Sequence, residues 1–237
     1  MLERQPSLSA LITCEHATRS VPQRWQYLFE GCPALLDSHR GYDRGSLELA
    51  QALARQLNAP LLVGEVTRLL VDLNRSASHP QHFSEFTRGL SAKERKGLDA
   101  AHWKPHWDRY REFLHELPGR IVHLACHSFA PVLDGRTRNA DIGLLYDPAR
   151  PQERTWCRTL AGHIHSRLPE LRTRMNYPYR GTSNGMGQQH RKVFDDTRLI
   201  TVELEINQAL CDREDWLNLV DELARAVESI VEMETKA

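Results

Sequence analysis

The sequence predicts an α/β fold, with helical layers on both sides of a mixed, mostly parallel sheet. Three observations point there. Apolar runs of strand length alternate with amphipathic helical stretches. Four of those runs end in polar clusters, the pattern expected where open α/β sheets build sites at strand carboxyl ends. The length, 237 residues, fits one α/β domain and is short for two. Residues 1–237 are therefore read as a single domain, without linker, repeat or low-complexity segment.

The first strand is expected over about 8–14, and Ser20-Val21-Pro22 then breaks the chain. Asp43 to Leu57 carries Leu47, Leu49, Ala50, Leu53 and Leu57, one apolar stripe on a helix. Pro60 to Val63 and Arg68 to Leu73 read as strands, and the polar stretch Ser76 to Gly89 as a loop. Ser91 with Glu94 three residues on is a capping box opening a helix. That helix runs to about Leu117, with a break expected at Pro105. Pro118-Gly119 turns the chain into a strand at 121–126. After a loop over Pro131 to Asn139 come a strand from Asp141 to Tyr146 and a helix from Gln152 to Leu168. A short strand is expected from Leu171 to Met175, then a long Gly/Tyr/Ser/Asn loop from Asn176 to Arg191. A loop of that length inside a compact domain is either functional or mobile. Ile200 to Ile206 is the last strand, and Asp212 to Met233 the last amphipathic helix.

Composition narrows the function classes. Lys+Arg and Asp+Glu are equal at 31 each, so no nucleic-acid partner or anionic membrane surface is expected. A near-zero charge gives little protection against self-association, so monomer and homo-oligomer both stay open. No run approaches the ~20 apolar residues of a membrane span, and the N-terminus lacks a signal-peptide pattern. Five cysteines without paired spacing favour a reducing, cytoplasmic setting.

The four polar strand ends are Glu15-His16, Asp72-Leu73-Asn74-Arg75, His127-Ser128 and Glu205-Ile206-Asn207. Together they suggest one site at one sheet edge. His16 and His127 each follow an apolar strand that can aim an imidazole at a metal; hydrolytic zinc takes three His or carboxylate ligands. Glu15 is set aside as third ligand because neighbours on an extended chain point oppositely. Asp43 stands at a helix start, where N-cap and ligand roles are both open, and His39 is a weaker candidate. Glu203 and Glu205 share one strand face. Near a metal such a carboxylate serves as general base, the alternative being a polar face turned to solvent. Arg68, Asn74 and Arg75 suit recognition of an anion and polarisation of a carbonyl, the alternative being a salt bridge of Arg75 with Asp72. In the long loop, Asn176, Tyr179, Arg180 and Ser183 could fold over a small polar ligand. Cys126-His127 is not read as a thiol–base pair, because the two face opposite ways and Cys126 belongs to the core.

Taken together, these segments resemble the N-formylglutamate amidohydrolase family, related to the zinc carboxypeptidases and aspartoacylases. The similarity extends over about 8–215. It rests on Glu15-His16-Ala17, the Asp43 region, Arg68 with Val71-Asp72-Leu73-Asn74-Arg75, Cys126-His127-Ser128, Asp141-Ile142-Gly143-Leu144, the Asn176–Gly187 loop and Glu205-Ile206-Asn207. The resemblance implies a zinc carboxypeptidase-like α/β/α domain that hydrolyses an N-formyl or N-acyl amino acid, with one Zn2+ or another divalent metal. By that resemblance His16, Asp43 and His127 are the metal ligands and Glu205 the catalytic carboxylate. Arg68 polarises the carbonyl, and Asn74 with Arg75 binds the substrate carboxylate; Glu203, on the same strand face, is the further catalytic candidate read from the alternation alone. The related carboxypeptidases carry a Glu three residues after the first ligand His; here that position is Arg19, which cannot bind a cation. This departure leaves a second expectation open, a non-catalytic or divergent small-anion-binding protein on the same fold.

Overall fold

The computed structural model describes residues 8–236. Along the chain lie β1 (Leu8–Cys14), α1 (Pro33–Leu36), α2 (Ser46–Leu57), β2 (Leu61–Val63), α3 (Ala92–Leu98) and α4 (Lys104–Glu116). There follow β3 (Arg120–Phe129), β4 (Val132–Leu133), β5 (Arg136–Thr137), β6 (Ile142–Leu145), α5 (Pro151–Arg167), β7 (Thr173–Met175), α6 (Met186–His190), β8 (Leu199–Asn207) and α7 (Trp216–Lys236). The main sheet has the order β2-β1-β3-β8-β6-β7. The pairs β2–β1, β1–β3 and β3–β8 are parallel, β8–β6 is antiparallel and β6–β7 is parallel. This is the mixed, mostly parallel sheet the alternation implied. β4 and β5 form a separate short hairpin.

The two faces of the sheet differ in chemistry. On one face Ile12, Cys14, Val122, Leu124, Cys126, Val202 and Leu204 pack against α2, α5 and α7 in the main core. Each fully buried Leu or Ile there contributes about 1.5–3 kcal/mol. The other face is apolar only near the amino ends, where Leu11, Ile121 and Leu199 meet Trp107, Tyr110 and Leu114 of α4. Toward the carboxyl ends it turns polar: Thr13, His123 and Thr201 are buried, then His127 and Glu205. His123 is held from both sides, with Nε2 at 2.9 Å from Thr13 Oγ1 and Nδ1 at 2.9 Å from Tyr110 Oη and 2.6 Å from Thr201 Oγ1. Burial pushes its pKa down to about 3, so it is neutral and structural.

The expected strand over Arg68–Leu73 does not exist. Its backbone donors are satisfied in turns: Leu70 N–H donates to Thr67 O (2.9 Å), Arg75 N–H to Asp72 O (3.1 Å) and Asn74 N–H to Asp72 Oδ1 (3.0 Å). Short polar side chains compete with ladder formation in this way. The apolar residues Leu69, Leu70, Val71 and Leu73 bury instead against Trp25, Phe29 and Leu98 in a second core. Pro105 does not end its helix. It sits at the start of α4, after a widened π turn over Asp99–Trp103. The capping box at Ser91 and Glu94 is present. Within the stretch read as one long loop, residues 186–190 form α6. The 3-10 helix Gln23–Phe29, α1 and the β4–β5 hairpin were not anticipated from periodicity; all are too short to carry any.

Candidate active site

Parallel β1, β3 and β8 end on the same side, and the polar residues at those ends converge. His16 lies just beyond β1. Its carbonyl accepts the Asp43 N–H (2.9 Å), which stitches the start of the α2 region to the strand end. Gly45, at φ 85°, is the N-cap of α2. Asp43 is therefore not the cap, and its carboxylate faces the histidines: Oδ2 is 3.3 Å from His16 Nδ1 and 3.0 Å from His127 Nδ1. One donor atom from each of His16, Asp43 and His127 lies within 4.8 Å of the others, and all three residues are buried.

The outer ring nitrogens are also held. His16 Nε2 is 2.8 Å from Asp72 Oδ1, and His127 Nε2 is 3.1 Å from Glu15 Oε2. A carboxylate behind each ring limits how the imidazole can turn and keeps its Nδ1 side toward Asp43. Arg68 ties the carboxylates together, donating to Asp43 Oδ1 (3.3 Å) and Asp72 Oδ2 (3.1 Å). Burial works against the charged form of Asp43 and Asp72, but His16 and Arg68 outweigh it and hold both below the usual carboxylate range. For His127, burial is likewise outweighed, by Asp43 and Glu15, and its pKa is raised.

Glu205 differs from these acids. Burial dominates and pushes its pKa up to about 8; its Oε2, like both carboxylate oxygens of Glu15, is buried without a hydrogen-bond partner. Glu203 is raised too, again chiefly by burial. Two imidazoles, a buried carboxylate within reach of both and a carboxylate oxygen without a hydrogen-bond partner on the neighbouring strand are the donor types a divalent cation takes. The residues fit such an ion.

A cavity of about 170 Å³ opens over this cluster. His16, Asp43, His127, Arg68, Asn74, Arg75, Tyr179, Ser183, Glu203 and Glu205 line it. His39 stands in its wall, away from the three-residue cluster. Asn74 is already engaged: its Oδ1 accepts the Met186 N–H (2.9 Å) and its Nδ2 lies 3.2 Å from His127 Nε2. Arg75 donates to the Asn184 carbonyl rather than to Asp72.

Asn176 and Arg180 are not brought to the cavity. Asn176 adopts φ 50° and pins its own loop, accepting from Tyr146 N (3.1 Å) and Gly181 N (2.9 Å). Arg180 is exposed. Asn207 ends β8 but caps the following 3-10 turn through Ala209 N (3.0 Å). Arg19 is at the surface, paired with Asp37. Two residues are more involved than their sequence reading held: Glu15 and Asp72, the carboxylates behind the histidines. Glu15 and His16 lie in the turn that follows β1, and the Glu15 carboxylate stands at the far nitrogen of His127.

A model of the N-formylglutamate amidohydrolase family matches residues 8–211. The chain belongs to that family. It is thus a hydrolase of the amidohydrolase type. Among solved structures, the gene product Atu2144 from Agrobacterium tumefaciens is 26% identical with a TM-score of 0.77, over 94% of this chain and 91% of that one. The N-formylglutamate amidohydrolase from Ralstonia eutropha JMP134 is 16% identical with a TM-score of 0.70, over 98% and 97%. The succinylglutamate desuccinylase from Chromobacterium violaceum shares the fold at 12% identity and a TM-score of 0.52, over 97% of this chain and 62% of that one. The architecture is accordingly one α/β/α arrangement around a mixed, mostly parallel sheet, shared with these structures. No curated protein matches the chain significantly.

Proposed function

We propose that this family member is a metal-dependent amidohydrolase that cleaves an N-formyl or N-acyl amino acid, N-formylglutamate-like, into the free amino acid and a carboxylic acid. The observation that carries the reading is the convergence of His16 Nδ1, Asp43 Oδ2 and His127 Nδ1, each histidine backed by a carboxylate, beside the unsatisfied Glu205. His16, Asp43 and His127 would hold one divalent cation, zinc by the nitrogen-rich donor set. When bound, that ion supplies Lewis acidity, which acidifies water and polarises a carbonyl.

The chain's own groups supply the rest. Glu205 removes the proton from the attacking water as its oxygen adds to the amide carbon. A cation in the cluster favours the carboxylate form of Glu205 needed for this. Arg68 donates N–H bonds to the carbonyl oxygen as negative charge develops there. As the C–N bond breaks, Glu205 returns the proton to the departing nitrogen. Arg75, with Asn74 beside it, binds the substrate carboxylate, and Tyr179 and Ser183 form the loop wall. Glu203 helps orient a metal ligand or Arg68. Five free cysteines suit a reducing, cytoplasmic compartment.

Hydrolysis of N-formylglutamate should be lost on chelation and restored by zinc, with metal analysis giving one equivalent per chain. Full activity after rigorous metal removal would sink this mechanism.

A further inference from the structure

A second cavity, about 380 Å³, adjoins the first and shares three walls with it: His39, Arg68 and Tyr179. The inner cavity alone, about 170 Å³, is smaller than the ~300 Å³ at which ligand pockets begin. The outer one passes that threshold by itself.

We infer that the outer cavity holds the acyl group of the substrate, and that this group is an aliphatic or aromatic chain of several carbons rather than formyl. The inference rests on the amidohydrolase reading above. The orientation follows from Arg75 and Arg68. Arg75 lines only the inner cavity and holds the carboxylate there. Arg68 stands on the shared wall and faces the scissile carbonyl. The carbon chain beyond that carbonyl points outward.

The chemistry of the outer wall gives the class. Leu69, Phe83 and Leu133 line it together with the exposed ring of Tyr179. Of its charged residues Arg40 pairs with Glu85 and Asp72 with Arg68, and Arg88, which has no ion pair among the described residues, is exposed to solvent, where a pair contributes only about 0–1 kcal/mol. A second carboxylate on the acyl group therefore gains little, whereas an apolar stem buries against the three hydrophobic side chains.

The test is a series of N-acylglutamates carrying formyl, acetyl, butyryl, hexanoyl and succinyl groups, given to the metal-loaded protein. Hexanoyl should exceed formyl in kcat/KM by at least about ten-fold, the low end for a filled apolar subsite. Leu133→Asp, on a surface hairpin, and Phe83→Ala should each lower hexanoyl turnover about ten-fold while leaving formyl within about two-fold. A preference for formyl or succinyl, or equal losses on all substrates, overturns the inference and leaves the proposed function standing. Hydrolysis of no member refutes the proposed function instead. In that event calorimetry with N-hexanoylglutamate still reads the cavity, and equal affinity for wild type and Leu133→Asp overturns the inference.

Discussion

His127 and Glu205 are register partners on adjacent parallel strands, β3 and β8. Side chains paired in this way project from the same face of a sheet. A single strand pairing thus sets the proposed metal ligand beside the proposed base. His127→Ala should remove most bound metal and most activity, because two remaining protein ligands do not complete the site. His123→Asn, four residues earlier, should keep the metal but lower stability by about 1–3 kcal/mol, since it leaves Tyr110, Thr13 or Thr201 without a buried partner. Metal analysis and thermal melts on both variants separate the two roles. Equal metal loss at both positions would move the ligand away from His127.

Glu205→Gln preserves volume and removes the basic lone pair. It should leave metal content unchanged and lower kcat by at least about 10²-fold. Glu203→Gln, whose carboxylate lies one pleat farther from the strand end, should cost less. The reverse ranking with metal intact would assign the base to Glu203.

The same residue gives a stability test in metal-free protein. The pKa of Glu205 stands at about 8 against an ordinary 4.5. Between those values the folded chain retains a proton that the unfolded chain has lost, so raising the pH weakens the native state. Glu205→Gln has no such dependence. Its Tm should match that of wild type near pH 4.5, rise above it progressively, and reach a constant lead above about pH 8. A pH-independent difference would mean that burial does not hold the proton on Glu205.

Asp72→Asn keeps a hydrogen-bonding shape behind His16 but loses the charge. Metal affinity should fall about 10–100-fold, the usual effect of removing the partner of a ligand histidine. Competition against a fluorescent chelator measures it. An unchanged affinity would make Asp72 a partner of Arg68 only.

Arg75→Ala should raise KM strongly for an anionic substrate with less effect on kcat, and Lys should restore part of the loss because it lacks the planar fork. Steady-state kinetics at saturating metal decide this, and an unchanged KM would make Arg75 a support of the Asn184 loop.

His16, His127 and Glu205 were legible in the sequence because an apolar strand followed by a polar residue is a local signal. For Asp43 the sequence left cap and ligand both open; Gly45 takes the cap, and the Asp43 carboxylate lies against both histidines. The segment 68–73 misled because a continuous apolar run has no period, and such a run buries equally well in turns. Asn176 and Arg180 had suitable chemistry, but the loop's internal hydrogen bonds decide which of its side chains face inward, and here Tyr179 and Ser183 do. The outer cavity was invisible because its apolar walls, Leu69, Phe83 and Leu133, come from three separate turns and hairpins.

The position of β8 has a consequence for biosynthesis. It lies between β3 and β6 in the middle of the sheet, yet it is the last strand to leave the ribosome. Until residues 199–207 emerge, β3 and β6 have no shared neighbour and the unfinished chain carries the proposed metal ligands without the proposed base. A nascent polypeptide stalled before Leu199 should therefore be protease-sensitive and catalytically silent, and the sheet should close only near the end of translation.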